Sequence, residues 1–162
     1  MAAANLNTIR STIEGRLAAE LAVAPVLPVM FHNQPYVPTP NSSWVQCLVS
    51  FGANEYLTLG GTTGSGNSII GIIAINIYTP KGVGPGANLT IGERIRNLFN
   101  RQSLISDPFD YRIGFVDDWI DWDGANDLRI DPPIGPEVVA SPAPEGYFQT
   151  QLRMTFETFE DL

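Results

Sequence analysis

Apolar residues recur at spacings of three and four near the start of the chain, at Leu6, Ile9, Ile13, Leu17 and Leu21. That period predicts an amphipathic helix from about Asn5 to Leu21, with one stripe on a core. Asn5 stands where an N-cap belongs. Arg10 with Glu14, and Arg16 with Glu20, have the spacing of ion pairs on the outer face. The pattern then changes to a period of two. In Trp44 to Phe51, Val45, Cys47, Val49 and Phe51 point one way and Gln46 and Ser50 the other, which predicts a strand. Glu55 to Leu59 reads as another. Ile69 to Tyr78 is the strongest strand, and its two faces are both apolar, so it is expected to lie centrally and to be covered on both sides. Tyr111 to Val116 reads as a strand. Tyr147 to Glu157 alternates cleanly, with Phe148, Leu152, Met154 and Phe156 inward and Gln149, Gln151, Arg153 and Thr155 outward.

Turn residues punctuate this pattern. Val29-Met30-Phe31 lies in a Pro-rich stretch and suits an edge strand, where proline is tolerated. Gly60 to Asn67 reads as a loop. Thr79 to Gly86 leads into a second helix, expected from about Thr90 to Arg101, with Thr90 and Glu93 as a capping box. Its buried face holds Ile91, Ile95, Leu98 and Phe99, while Arg94 and Arg101 project outward. The order of elements implies an α+β fold in one domain spanning 1–162: a mainly antiparallel sheet with two helices packed on one face. An acidic, Pro-rich loop or arm is expected at about 117–145.

Composition narrows the function. The chain has 162 residues, 44% hydrophobic and only 16% charged, with 15 Gly and 13 Pro. That suffices for a core and leaves a weakly charged surface of the kind that meets other subunits. The net charge is −8, and its nine basic residues form no cluster. Specific grip on nucleic acid needs the opposite balance. One cysteine, Cys47, excludes an internal disulfide framework and fits a reducing cytoplasm. No signal peptide is visible, and the longest apolar run, Ile69 to Ile75, is too short to span a membrane.

Candidate chemistry thins out on inspection. Gly82-Val83-Gly84-Pro85-Gly86-Ala87 approaches a dinucleotide fingerprint, but Pro85 removes a backbone donor and only one strand–helix unit is present. No lysine follows the glycines of the Gly60 to Ser68 loop, as a phosphate loop requires. Asp117, Asp118, Asp121, Asp123, Asp127 and Asp131 crowd a short segment without EF-hand order. Trp119 and Trp122 flank these acids, as a protein contact would. Cys47 sits on an apolar face with no base beside it. His32 has no identifiable catalytic partner. Asn41-Ser42-Ser43 and Asn88-Leu89-Thr90 match glycosylation acceptors by chance. No catalytic, cofactor or metal site emerges.

Three features in order resemble the tail-terminator family of long-tailed phages, the family of the lambda tail terminator. They are the turn Phe31-His32-Asn33-Gln34-Pro35 after the first helix, the strand ending Ile75-Asn76-Ile77-Tyr78-Thr79-Pro80 with Lys81-Gly82-Val83-Gly84 behind it, and the helix Glu93-Arg94-Ile95-Arg96-Asn97-Leu98-Phe99. The resemblance implies the same α+β sandwich and a structural role without catalysis. It implies a hexameric ring that caps the tail tube, stops its polymerisation and joins tail to head. The implied partners are sister copies, the tail tube protein, and neck, connector or head-completion proteins. No membrane is involved. DNA passes through the lumen without specific binding. The implied place is the virion tail and neck, after assembly in the host bacterial cytoplasm. On this reading Lys81, Gly82, Gly84, Arg94, Trp119 and Trp122 are the candidate subunit or partner contacts. Asp117, Asp118, Asp121 and Asp123 are candidates to line the lumen and repel DNA. Another neck or connector ring remains an alternative. So, from a different class, does a small nucleotide-binding enzyme, for which no pocket can be assembled.

Overall fold

The computed structural model describes residues 5–56, 66–100, 103–106, 111–114, 127–130, 133–138 and 143–161. Helix α1 runs Leu6–Leu21, and the Asn5 side chain caps it by accepting from the Thr8 N–H at 3.1 Å. Ile9, Ile13, Leu17 and Leu21 are fully buried, whereas Leu6 is largely exposed. The inward stripe therefore starts one turn later than the sequence pattern predicts. Arg10 pairs with Glu14 as its spacing predicts, but Glu14 is itself buried instead of lying on the outer face.

Strand β1 (Val29–Phe31) is an edge strand, and it runs parallel to β2 (Trp44–Tyr56). The two strands expected at Trp44–Phe51 and Glu55–Leu59 are one: β2 continues through an irregularity between Phe51 and Asn54, a bulge that lets a long strand bend without ending. Residues 57–59 lie outside the described residues. Strand β3 (Gly66–Pro80) pairs with β2 on one side and, along its whole length, with β8 (Tyr147–Asp161) on the other. Both pairings are antiparallel. β-Branched isoleucines fit this crowded pleat.

Helix α2 spans Gly86–Phe99, beginning four residues before the expected Thr90. Pro85 occupies its N-cap position without a side-chain bond, and the Thr90 hydroxyl donates to the Gly86 carbonyl at 3.0 Å. The capping box is therefore absent. A proline with φ −81° already suits a helix start, so no Thr90 cap is required. Short strands β4 (Ser103–Ser106), β5 (Tyr111–Gly114), β6 (Asp127–Ile130) and β7 (Ile134–Val138) complete the sheet. The sheet order is β1-β2-β3-β8-β6-β5-β4, with β7 also on β8. β4 was not predicted, and the 117–145 stretch differs from a plain loop by contributing β6 and β7.

The fold is α+β with a mostly antiparallel sheet, as the sequence pattern predicts. Val45, Cys47 and Val49 of β2, Ile73, Ile75 and Ile77 of β3, and Leu152, Met154 and Phe156 of β8 form one buried face with both helices. On the opposite face of β3, Ile72 is 47% exposed. Among the described residues no helix packs there. The expectation that β3 is covered on both sides holds where Ser68, Asn76 and Tyr78 are buried on that face, and fails around Ile72. The isoleucines of that face reflect strand propensity as much as burial.

Close approach fixes two points of the core. A Cβ on Gly71 would lie 2.0 Å from Cζ of Phe156, whose ring covers the bare backbone and meets Phe51 edge-on at 5.6 Å. A Cβ on Gly92 would lie 2.7 Å from Pro136, so α2 seats directly on β7.

Cys47 is buried at the centre of this face. Loss of hydration, then the nearby Glu14 carboxylate, pushes its thiol from an ordinary 9.0 up to about 12. Native protein at pH 8 is expected to resist a thiol reagent that labels the denatured chain at once; rapid native labelling would contradict this. The thiol's raised value also sets a sign. Above about pH 9 the unfolded thiol ionises while the folded one stays protonated, so this group's contribution to stability falls as pH rises towards 12.

Candidate functional site

The loop joining β3 to α2 carries three of the candidate contact residues. Lys81, Gly82 and Gly84 are exposed, and the Lys81 N–H donates to the Gly146 carbonyl at 3.0 Å. Gly82 and Gly84 have φ of +89° and +80° with open space where a side chain would project. They are glycines for backbone conformation, not for close approach. The loop thus turns sharply and sits beside the turn that precedes β8.

A buried polar hub anchors this loop from beneath. Asn88, in the first turn of α2, donates to the Ile77 carbonyl at 3.2 Å and to the Thr150 hydroxyl at 3.1 Å, and its carbonyl oxygen accepts from the Thr79 hydroxyl. All three side chains are buried. The hub ties α2, β3 and β8 at one point, which fixes where the loop leaves the sheet. Asn88 is therefore inaccessible as a glycosylation acceptor. Sequence reasoning passed over it, although its place on the 88, 91, 95, 99 stripe marks it as core-facing.

Arg94 does not project outward. From α2 it reaches the end of α1, donating to Glu20 Oε1 at 2.9 Å, to the Val23 carbonyl at 2.9 Å and to the Pro25 carbonyl at 2.7 Å, as well as to the Glu20 carbonyl. Arg16 answers from α1, with two bonds to the Leu98 carbonyl at 3.2 and 3.1 Å. Each helix thus supplies an arginine to the carbonyl end of the other, where the helix dipole favours positive charge. Residue 16 meets 98 and residue 94 meets 20, so the helices run antiparallel. Glu20, expected to pair with Arg16, is engaged by Arg94. Arg94→Ala is expected to cost about 1–2 kcal/mol, read as a lower urea midpoint; an unchanged midpoint would deny the clamp.

At the same end of the sheet an aromatic group closes the helix-free face. Trp44 stacks on Tyr78 with centroids 4.0 Å apart, and Tyr36 and Tyr147 flank it at 5.2 and 6.1 Å. Desolvation raises the Tyr78 hydroxyl above its usual range. Below this group a polar row crosses three strands. Gln151 donates to Asn76 at 2.9 Å, and Asn76 donates to Gln46 at 3.0 Å. The Tyr78 hydroxyl donates to the same Gln46 oxygen at 3.2 Å. The turn expected after β1 is present: the Gln34 N–H donates to the Phe31 carbonyl at 3.3 Å, and Asn33 has φ 59°, a conformation asparagine tolerates. His32 is exposed on it.

Trp119 and Trp122 lie outside the described residues, as do Asp117, Asp118, Asp121 and Asp123. Among the described residues no group of acids, histidines or cysteines could hold a metal ion, and no helix is long and apolar enough to cross a membrane.

The three sequence features therefore surround one helix–sheet unit: the turn after β1, the end of β3 with its glycine loop, and α2. Together they make a two-layer α+β subunit whose glycine loop and β1–β2 turn are exposed. The model of the phage tail terminator protein family matches the chain from residue 8 to residue 113, and the chain belongs to that family. Membership gives it a structural role in the phage tail and tail components as partners. A solved chain of 16% sequence identity shares the fold with a TM-score of 0.66, over 96% of this chain and 96% of that one. No curated protein matches.

Proposed function

We propose that copies of this chain close into a ring, a hexamer, that caps the tail tube, stops its polymerisation and presents a surface to neck or head-completion proteins. The family match over residues 8–113 carries this reading. The molecule's physics supports it. A surface poor in charge suits contacts between like subunits, and identical copies joined head to tail close a ring when their rotation closes. The loop at Lys81, Gly82 and Gly84, held by the Asn88 hub, is the proposed partner contact. Arg94 serves it indirectly by fixing α2 against α1. The chain acts without catalysis or cofactor, and it enters the virion from the host cytoplasm.

The net charge of −8 favours a pore that DNA traverses without sticking. The test is electron microscopy of tail tubes polymerised from tube protein with and without this chain. Tubes of uniform length ending in a ring are expected with it. Tubes that continue to lengthen, with bare ends, would overturn the reading.

A further inference from the structure

Lys81 is the only lysine of the chain, and it follows directly on β3, where the glycine loop begins. It is exposed, and its ammonium pairs with none of the described residues. The other cations whose side chains are described have work within the fold. Arg10, Arg94 and Arg153 hold Glu14, Glu20 and Glu137, and Arg16 bonds the Leu98 carbonyl. Arg96 lies in the last turn of α2, where the helix dipole favours a cation. Glu145 is exposed next to Gly146, whose carbonyl accepts from the Lys81 N–H at 3.0 Å, yet it forms no ion pair with the Lys81 ammonium.

The backbone beneath this ammonium is fixed, although the charge itself is free. Gly146 holds the Lys81 N–H, and the Asn88 hub holds the strand before the loop and the helix after it. Binding through Lys81 therefore costs the order of one side chain and not of a loop. Its surroundings are apolar. Val83 is 62% exposed in the loop, and Leu89 is 53% exposed in the first turn of α2. The start of α2 has no side-chain cap, so its positive pole adds to the charge of Lys81. A cation set among exposed apolar side chains matches a single carboxylate in a contact that excludes water.

We propose that Lys81 pairs with a carboxylate of the tail tube protein when the ring seats on the tube, with Val83 and Leu89 packed around the pair. The inference rests on the capping reading above and gives its contact a chemistry. Charge complementarity argues for this partner group. A chain of −8 repels a carboxylate over most of its surface. The free ammonium on the fixed loop is a point where the same carboxylate is attracted. The pair therefore sets where the two rings meet and in which rotation, which is the use of charge that gives specificity more than strength.

A chain with a single lysine allows a one-site test. An amine-acetylating reagent is applied to the protein alone, with linear DNA, and on tubes of the tube protein, and the peptide that carries Lys81 is weighed to separate it from the N-terminal amine. Acetylation of Lys81 is expected to be at least about tenfold slower on capped tubes, because a paired ammonium in a dry contact does not react. Electron microscopy of capped ends then compares Lys81→Gln, Lys81→Glu and Lys81→Arg. The concentration needed for half-capping should rise about thirtyfold or more for Lys81→Gln, rise further for Lys81→Glu, and return close to the wild-type value for Lys81→Arg. Melting temperatures should not change, since Lys81 makes no described side-chain contact. Capping by Lys81→Gln at the wild-type concentration would overturn the pair and leave the capping reading standing. Protection of Lys81 in the protein without tubes would overturn it by assigning the ammonium to a sister copy, and protection by DNA without tubes would assign it to a phosphate. A wild-type chain that leaves tube ends bare would overturn the capping reading and the pair together.

Discussion

Phe156→Ala is expected to lower the free energy of unfolding by about 3–5 kcal/mol, the largest loss from any single truncation. Its ring does three things at once. It fills the core between β8 and the helices, covers the bare backbone of Gly71, and meets Phe51 edge-on. Neighbours cannot collapse into the gap easily, because Gly71 has no side chain to lend and the backbone beneath is pinned by pairing on both sides. Urea titration followed by tryptophan fluorescence checks the value. A loss under about 1 kcal/mol would mean that the ring is not packed as described. The complementary change, Gly71→Val, overfills the same place and is expected to destabilise through displacement of the ring.

Asn88→Ala should cost about 3 kcal/mol, from several lost hydrogen bonds and the stranded groups they leave behind. Removing the amide leaves the Thr79 and Thr150 hydroxyls and the Ile77 carbonyl in a buried place without their shared partner. The three bonds polarise one another in a dry surrounding, so the loss should exceed that of Thr150→Val, which removes one spoke. Thermal unfolding of both variants decides the matter. Equal shifts for the two would mean that Asn88 is not the hub. The consequence for assembly is specific: the loop at Lys81–Gly84 should lose its fixed exit from the sheet, so tube capping should weaken even in molecules that remain folded.

The elements were legible wherever a period was clean. The α1 stripe, the alternation of β8 and the isoleucine run of β3 each appear in the structure, and the fold class follows from their order. Boundaries were less legible, for local reasons. The α2 start depends on Pro85, whose ring predisposes the backbone without any side-chain bond, so the Thr90–Glu93 pattern pointed four residues too late. The break expected after Phe51 is a bulge, which sequence composition does not distinguish from a turn. Short β4 carries too few residues for a period to register.

Among the candidate contacts, the glycine loop could be read because Gly82 and Gly84 announce a turn. Arg94 was misread because a cation on a helix surface looks the same whether it meets water or another helix's carbonyls. The reciprocal clamp with Arg16 is a tertiary fact, visible only once α1 and α2 lie antiparallel. Asn88 could have been found by asking why an amide sits on an apolar stripe.

β8 pairs with β3 from Gly66↔Asp161 to Pro80↔Tyr147, so a strand near the middle of the sheet comes from beyond residue 146. A nascent chain that has emerged only as far as α2 therefore carries β3 with one whole flank of amide and carbonyl groups unsatisfied. Such long-range closure folds slowly. Until it occurs, that flank is open to strands of other chains. A partly translated subunit is then a hazard to its neighbours and not a shorter version of the part. Only a polypeptide long enough to supply its own closing strand can enter the virion as a well-formed piece.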